Sequence, residues 1–184
     1  TENWLEEMLQ LCQQKDVGMA GAKLYYPDDT IQHAGVVVGL GGVAAHVLCK
    51  LPRDAEGYMG RLRCVQEISA VTAACMMVKT SVFKAVGGFD EELKVAFNDI
   101  DLCMKVRKYG VKIIFTPYAE LYHYESKSRG MEDTPEKQLR FSREVNCFRR
   151  KWERELLKGD PYYNPNLTLN NTDCSLRKQE KNGD

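Results

Sequence analysis

The sequence predicts a mixed fold of strands and helices, α/β or α+β, in a chain long enough to bury a real core. Two observations carry this. Short apolar runs bounded by Gly, Pro and Asp are interspersed with segments of helical period. Of the 184 residues, 43% are hydrophobic and 28% charged, a globular balance rather than a disordered one. No internal repeat is evident.

The elements follow in order. Residues 3 to 14 place Trp4, Leu5, Met8, Leu11 and Cys12 at helical spacing. "VGMAGAKLYY" reads as a strand stopped by "PDD", a turn signal. "HAGVVVGL" reads as a second strand, ended by Gly39, Gly41 and Gly42, and residues 50 to 62 have loop composition. "EISAVTAACMMV" reads as a third, largely buried strand with small residues in its middle. Thr80 or Ser81 can cap a short helix that ends at Gly87 and Gly88.

"AFNDIDLCMKVRKYG" then reads as a helix with Asn98 or Asp99 as N-cap. Asp99 and Asp101 suit the positive end of its dipole, and Lys105, Arg107 and Lys108 the negative end, before Gly110 stops it. "VKIIFTP" is a strand closed by Pro117. "AELYHYE" is another, with Leu121, His123 and Glu125 on one face and Tyr122 and Tyr124 on the other. Thr134 and Pro135 open a long amphipathic helix whose stripe is Phe141, Val145, Phe148, Trp152 and Leu156. From Gly159 the chain loses periodicity. The expected organisation is one folded unit over 1–158 and an irregular tail over 159–184 that wraps the surface or frays.

Lys+Arg and Asp+Glu both number 26, so a basic footprint for nucleic acid is missing. No apolar run approaches the roughly 20 residues of a spanning helix, so no transmembrane segment is expected. The opening "TENWLEEMLQ" is acidic and amphipathic, unlike a signal peptide, and a soluble protein is expected. The seven cysteines are scattered and form no Cys-x-x-Cys, which predicts reduced, buried thiols and a cytosolic compartment. None of the three histidines lies at ligand spacing from a cysteine, so a zinc site is not expected.

Four segments together carry a resemblance: "AVTAACMMVKTSVFKAVGGFDEEL", "VAFNDIDLCMKVRKYG", "VKIIFTPYAELYHYESKSRG" and "GDPYYNPNLTL". In this order they resemble the C-terminal half of the inverting family-two glycosyltransferases, above all bacterial rhamnosyltransferase-like enzymes of cell-surface polysaccharide synthesis. The resemblance runs from about Trp4 to Leu176. It implies an α/β, GT-A type fold, a mixed sheet flanked by helices, here incomplete because the N-terminal nucleotide-binding half is missing. It also implies transfer of a hexose, with inversion, from a nucleotide-sugar to a saccharide acceptor. A divalent Mn or Mg ion would serve the intact enzyme. The location implied is cytoplasmic, including the inner face of the membrane.

The resemblance assigns roles residue by residue. "FNDID" matches a segment whose second carboxylate is the catalytic base, which maps onto Asp99, with Asn98 where the family usually has Glu. A base is needed to take the proton of the acceptor hydroxyl as it attacks the anomeric carbon. Read alone, Asp99 is more readily a helix cap. Asp101 reads as a first-turn residue pairing with Lys105 at i+4, or as a group at the donor or acceptor site. A diphosphate-gripping reading of Asp99-Ile100-Asp101 would need a strand end facing a nucleotide. His123 matches a position that holds metal in the family, against a packed strand histidine. Ala73 and Ala74 match a small-residue segment that lets the donor sugar approach the backbone; the family often has Gly at Ala73. Lys127 and Arg129 could contact diphosphate, or be solvated loop charges. Asp90 would border the acceptor cleft. His33 and His46 receive no role.

These readings imply that the isolated chain lacks transferase activity. They also imply that an exposed sheet edge pairs copies as a homodimer or by segment exchange. The rival reading is a non-enzymatic carbohydrate-binding or scaffolding module on the same fold.

Overall fold

The structure, a computed structural model, describes residues 1–124 and 134–178. Its elements are α1 (Trp4–Cys12), β1 (Val17–Tyr25), β2 (Ile31–His33), β3 (Val36–Val38), β4 (Ala44–His46), β5 (Gln66–Glu67), β6 (Met76–Val78), α2 (Thr80–Ala85), α3 (Asn98–Lys108), β7 (Lys112–Tyr122), α4 (Pro135–Lys151) and α5 (Glu153–Lys158). The α/β class and the mixed sheet flanked by helices are as the sequence implies.

β1 organises the sheet. It runs parallel to β7 along one side. Along its other side it pairs antiparallel first with β6, through Met19 to Gly21, and then with β2, through Leu24 and Tyr25. All nine of its residues are buried. Period-two alternation explains how. Ala20, Ala22 and Leu24 join Met8, Leu11 and Cys12 of α1 in one core cluster. Met19 and Tyr25 join Cys103 and Val106 of α3 and Phe148 of α4 in the other. Gly21 is required by proximity, because a Cβ there would lie 2.3 Å from Val71 Cγ1.

Three strand expectations are corrected. "HAGVVVGL" is two strands, split where Gly35 takes φ 102°, and β3 leaves to pair with β4 in a separate two-stranded sheet. "EISAVTAACMMV" is not one strand. β5 pairs β7 and β6 pairs β1, so the chain between them must cross the sheet. In that crossing, backbone groups find side chains instead of a ladder: Val71 N–H donates to Cys103 Sγ (3.4 Å), Thr72 N–H to His33 Nε2 (3.5 Å) and Ala73 N–H to Asp99 Oδ2 (3.1 Å). Finally, Pro117 does not close a strand. β7 continues through it to Tyr122, because residues 117 to 119 form a bulge between the Ala22–Thr116 and Lys23–Glu120 pairs, where proline removes no ladder bond.

Of the helix starts, that of α2 is entered from Lys79 rather than from Thr80 or Ser81, while that of α4 is as expected. Thr134 caps α4, its hydroxyl accepting from Lys137 N–H at 3.3 Å, with Pro135 in the first turn. The long stripe breaks at Trp152, which separates α4 from α5. Residues 159–178 contain neither helix nor strand, yet Tyr163, Leu167 and Cys174 enter the core. Asp160 fixes the segment by accepting from Val38 N–H (2.8 Å) and Ser69 Oγ–H (2.6 Å). Among the described residues no helix is long and apolar enough to cross a membrane.

α4 also shapes the loop before α3. Glu144, 3% exposed, accepts from three consecutive backbone N–H groups, of Lys94 (3.0 Å), Val95 (3.1 Å) and Ala96 (2.9 Å). A glutamine here offers one oxygen and turns an NH₂ toward the same donors. Glu144→Gln is therefore expected to lower stability by about 2–3 kcal/mol, since bonds to a charged acceptor are lost in a buried place. Urea denaturation monitored by circular dichroism checks it.

Candidate functional site

The site is built at the start of α3. The helix begins at Asn98, and its N-cap is Phe97 rather than Asn98 or Asp99. Phe97 adopts a left-handed backbone, φ 62°. Such a conformation is unfavourable by about 1–2 kcal/mol for a bulky residue. Ring packing against Phe141 (5.8 Å between centroids) and Phe148 (5.4 Å) offsets it.

Asp99 is half-buried in the first turn. One oxygen accepts from Ile100 N–H (2.9 Å), the other from Ala73 N–H (3.1 Å). Two backbone bonds fix the carboxylate on a rigid mount while part of it stays accessible. Asn98 caps locally, its Oδ1 accepting from Asp99 N–H at 2.7 Å. Ala73 and Ala74 are exposed beside it. The structure therefore brings together Asp99, Asn98 and Ala73–Ala74, chosen separately from sequence.

Asp101 faces elsewhere. It is 0% exposed and pairs with Lys151 (2.8 Å) and Lys105 (3.3 Å), while Trp152 Nε1–H donates to it at 2.8 Å. The Lys105 pair is the expected i+4 contact. The others come from α4 and the residue that ends it. Asp90 is held by the same Lys151, which keeps its carboxyl below the usual range with help from Glu92 N–H. Lys127 and Arg129 lie outside the described residues.

His123 follows β7 and is half-buried. Its Nδ1 meets Gln32 Oε1 at 2.8 Å, and Gln32 Nε2–H donates to its carbonyl at 3.3 Å. An amide oxygen only accepts, so Nδ1 carries the proton and Nε2 keeps its lone pair. That is the tautomer a metal needs. Yet among the described residues no group of three or more His, Cys, Asp or Glu could hold a metal ion. His123 offers one ligand position and not a complete site.

The pair that sequence reasoning left without a role is His33 and His46. Their Nδ1 atoms are 3.0 Å apart. His33 Nε2 accepts from Thr72 N–H, so its Nδ1 bears the proton and donates to His46. His33 thus supports the turn that carries Ala73, and no local sequence signal announces it. Neighbours Gln32 and His33 on β2 reach His123 and Thr72, so one short strand braces both candidate segments.

No family model matches the chain. Over 95% of its length it is 57% identical to "Uncharacterized protein y4gI" of Sinorhizobium fredii, of which it covers 19%. Over 99% of its length it is 38% identical to "O-antigen biosynthesis protein RfbC" of Myxococcus xanthus, covering 14% of that protein. Over 62 residues, 34% of the chain, it is 34% identical to an N-acetylglucosaminyl-diphospho-decaprenol L-rhamnosyltransferase of Mycobacterium tuberculosis, covering 20% of it. One of these relatives is by name a sugar transferase. The chain spans a fifth or less of the length of each.

Burial, and secondarily His46, hold the His33 pKa well below the ordinary imidazole value. The unfolded chain takes up that proton near pH ~6.5. The contribution of neutral His33 to stability is therefore full above that pH and is lost as pH falls toward the folded pKa. Between about pH 7 and 5.5 the native chain should lose roughly 1 kcal/mol more than a His33→Gln variant. Urea titrations at the two pH values compare them.

Proposed function

We propose that this chain forms the acceptor side of a glycosyl-transfer site. In this reading a hexose passes, with inversion, from a nucleotide-sugar to a saccharide acceptor, and Asp99 is the base. The observation that carries it is the half-exposed Asp99 carboxylate, fixed by Ala73 and Ile100 beside a small-residue turn. The names of the RfbC and rhamnosyltransferase relatives support the reaction class.

The chemistry follows from that mount. An ionised carboxylate with unused lone pairs receives the acceptor hydroxyl proton as the oxygen attacks the anomeric carbon, opposite the leaving diphosphate. Exposed Ala73 and Ala74 leave room for a sugar ring close to the backbone. Backbone contacts keep Asp99 from rotating away, which is the positioning share of catalysis. A Mn or Mg ion, when bound, would neutralise the leaving diphosphate. His123 Nε2 would be one ligand, with the others supplied from outside the described residues.

Asp99→Asn tests the assignment. Asparagine keeps one acceptor oxygen, for Ala73 N–H, and because Asp99 is half-exposed the Ile100 N–H it gives up can turn to water, so the fold should persist. In the shortest chain containing these residues that transfers sugar, kcat should fall about 10²–10⁴-fold. Transfer at the native rate would remove Asp99 from the mechanism.

A further inference from the structure

A cavity of about 550 Å³ opens at the β7 bulge. Its lining includes Lys23, Arg53, Leu62, Arg63, Tyr118 and Glu120, and none of Asp99, Ala73 or His123. Residues 117 to 119 of the bulge have no opposite in β1, and Pro117 and Tyr118 line the cavity beside Lys23.

Lys23 is the unusual group. It belongs to the central strand and is 4% exposed. Glu120 stands opposite it in the register, yet that carboxylate is engaged by Arg53 Nη2 at 2.8 Å and by the Tyr25 hydroxyl. Among the described residues the Lys23 ammonium makes one hydrogen bond, to the Leu62 carbonyl at 3.3 Å, and no ion pair, and it lies over the Tyr25 ring at 5.5 Å from its centroid. An ammonium has three donors. Buried charge of this kind is costly unless something compensates it. Burial lowers the Lys23 pKa; Glu120 opposes this, and Arg53 and Arg63 add to it. Arg63, with its side chain 59% exposed, is paired to Glu56 at 3.4 Å. Such a surface pair holds an arginine loosely and can be exchanged.

We infer that Lys23 and Arg63 form a binding site for the phosphoryl group of an organic phosphate. A phosphate dianion supplies several acceptor oxygens to an ammonium and to a forked guanidinium at once. Arg53 stays with Glu120 and sets the wall of the site. The volume beyond a phosphate, bounded by Leu62, Ala55, Pro117 and Tyr118, accommodates the organic part. The site uses no residue of the Asp99 assignment, so either can fail without the other.

The test is an NMR titration of the native chain with inorganic phosphate against chloride at matched ionic strength, following the amides of Lys23, Leu62 and Arg63. Saturable shifts there are expected. Arg63→Gln, a change at an exposed side chain, should weaken the affinity by about tenfold, and Lys23→Met should abolish it. No saturable shift, or an Arg63→Gln chain that binds as tightly as the native one, overturns the site. Two further arms identify the source. Lys23-dependent binding of glucose 1-phosphate supports a soluble ligand. Lys23-dependent sedimentation with phosphatidylcholine vesicles containing phosphatidic acid supports a lipid-borne one. Binding in both arms that survives Lys23→Met overturns the proposal.

Discussion

The Asp101 carboxylate, sealed in the core, is the contact on which the rest of the arrangement depends. Desolvating a carboxylate costs several kcal/mol unless partners replace water. Here Lys151, Lys105 and the Trp152 indole replace it, with the positive end of the α3 dipole nearby. Removing Lys151 would leave the buried Asp101 carboxylate with only Lys105 and the indole to compensate it, so α3 and the end of α4 are obliged to meet. Lys151 also takes Asp90, so one ammonium ties both ends of the stretch from 90 to 101. Glu144 gathers the backbone N–H groups in between, and Phe148 packs on Phe97. A single helix thus holds the loop that delivers Asp99.

This division of labour explains the strained Phe97. A left-handed bulky residue persists only where its surroundings over-determine it. α4 does so with a carboxylate and two aromatic rings. The backbone then enters α3 at an angle that turns Asp99 toward Ala73 and Asp101 toward Lys151. Two carboxylates with one residue between them diverge by about 200° around the helix, and the fixed Phe97 backbone sets how the helix that carries them is entered.

Sequence reasoning reached what local rules govern. The period of α1, the alternation of β1 and the Thr134–Pro135 start of α4 are each decided within a few residues. The crossing at 68–75 was not legible as such, because Cys103, Asp99 and His33 satisfy its backbone from 26 to 39 positions away. Its apolar composition imitates a buried strand, and only those distant partners reveal otherwise. Pro117 misled for a similar reason, since a bulge depends on β1. At the site, helix spacing found the Lys105 partner of Asp101. It could not find Trp152, 51 residues on, nor the His33–His46 contact, 13 apart.

The contrast between Asp99 and Asp101 carries functional weight. An ionised carboxylate offers about four lone-pair sites. Asp101 has Oδ1 bound by Lys151 and the Trp152 indole and Oδ2 facing Lys105, in a place that a substrate hydroxyl does not reach. Asp99 gives one lone pair from each oxygen to the backbone and keeps the others at a half-exposed surface. A base must be charged, fixed and reachable at the same moment. Burial deprives Asp101 of the last property, and a mobile loop would deprive a carboxylate of the second. The start of a clamped helix supplies all three, which is why the same Asp-Ile-Asp can hold the fold with one residue and offer chemistry with the other.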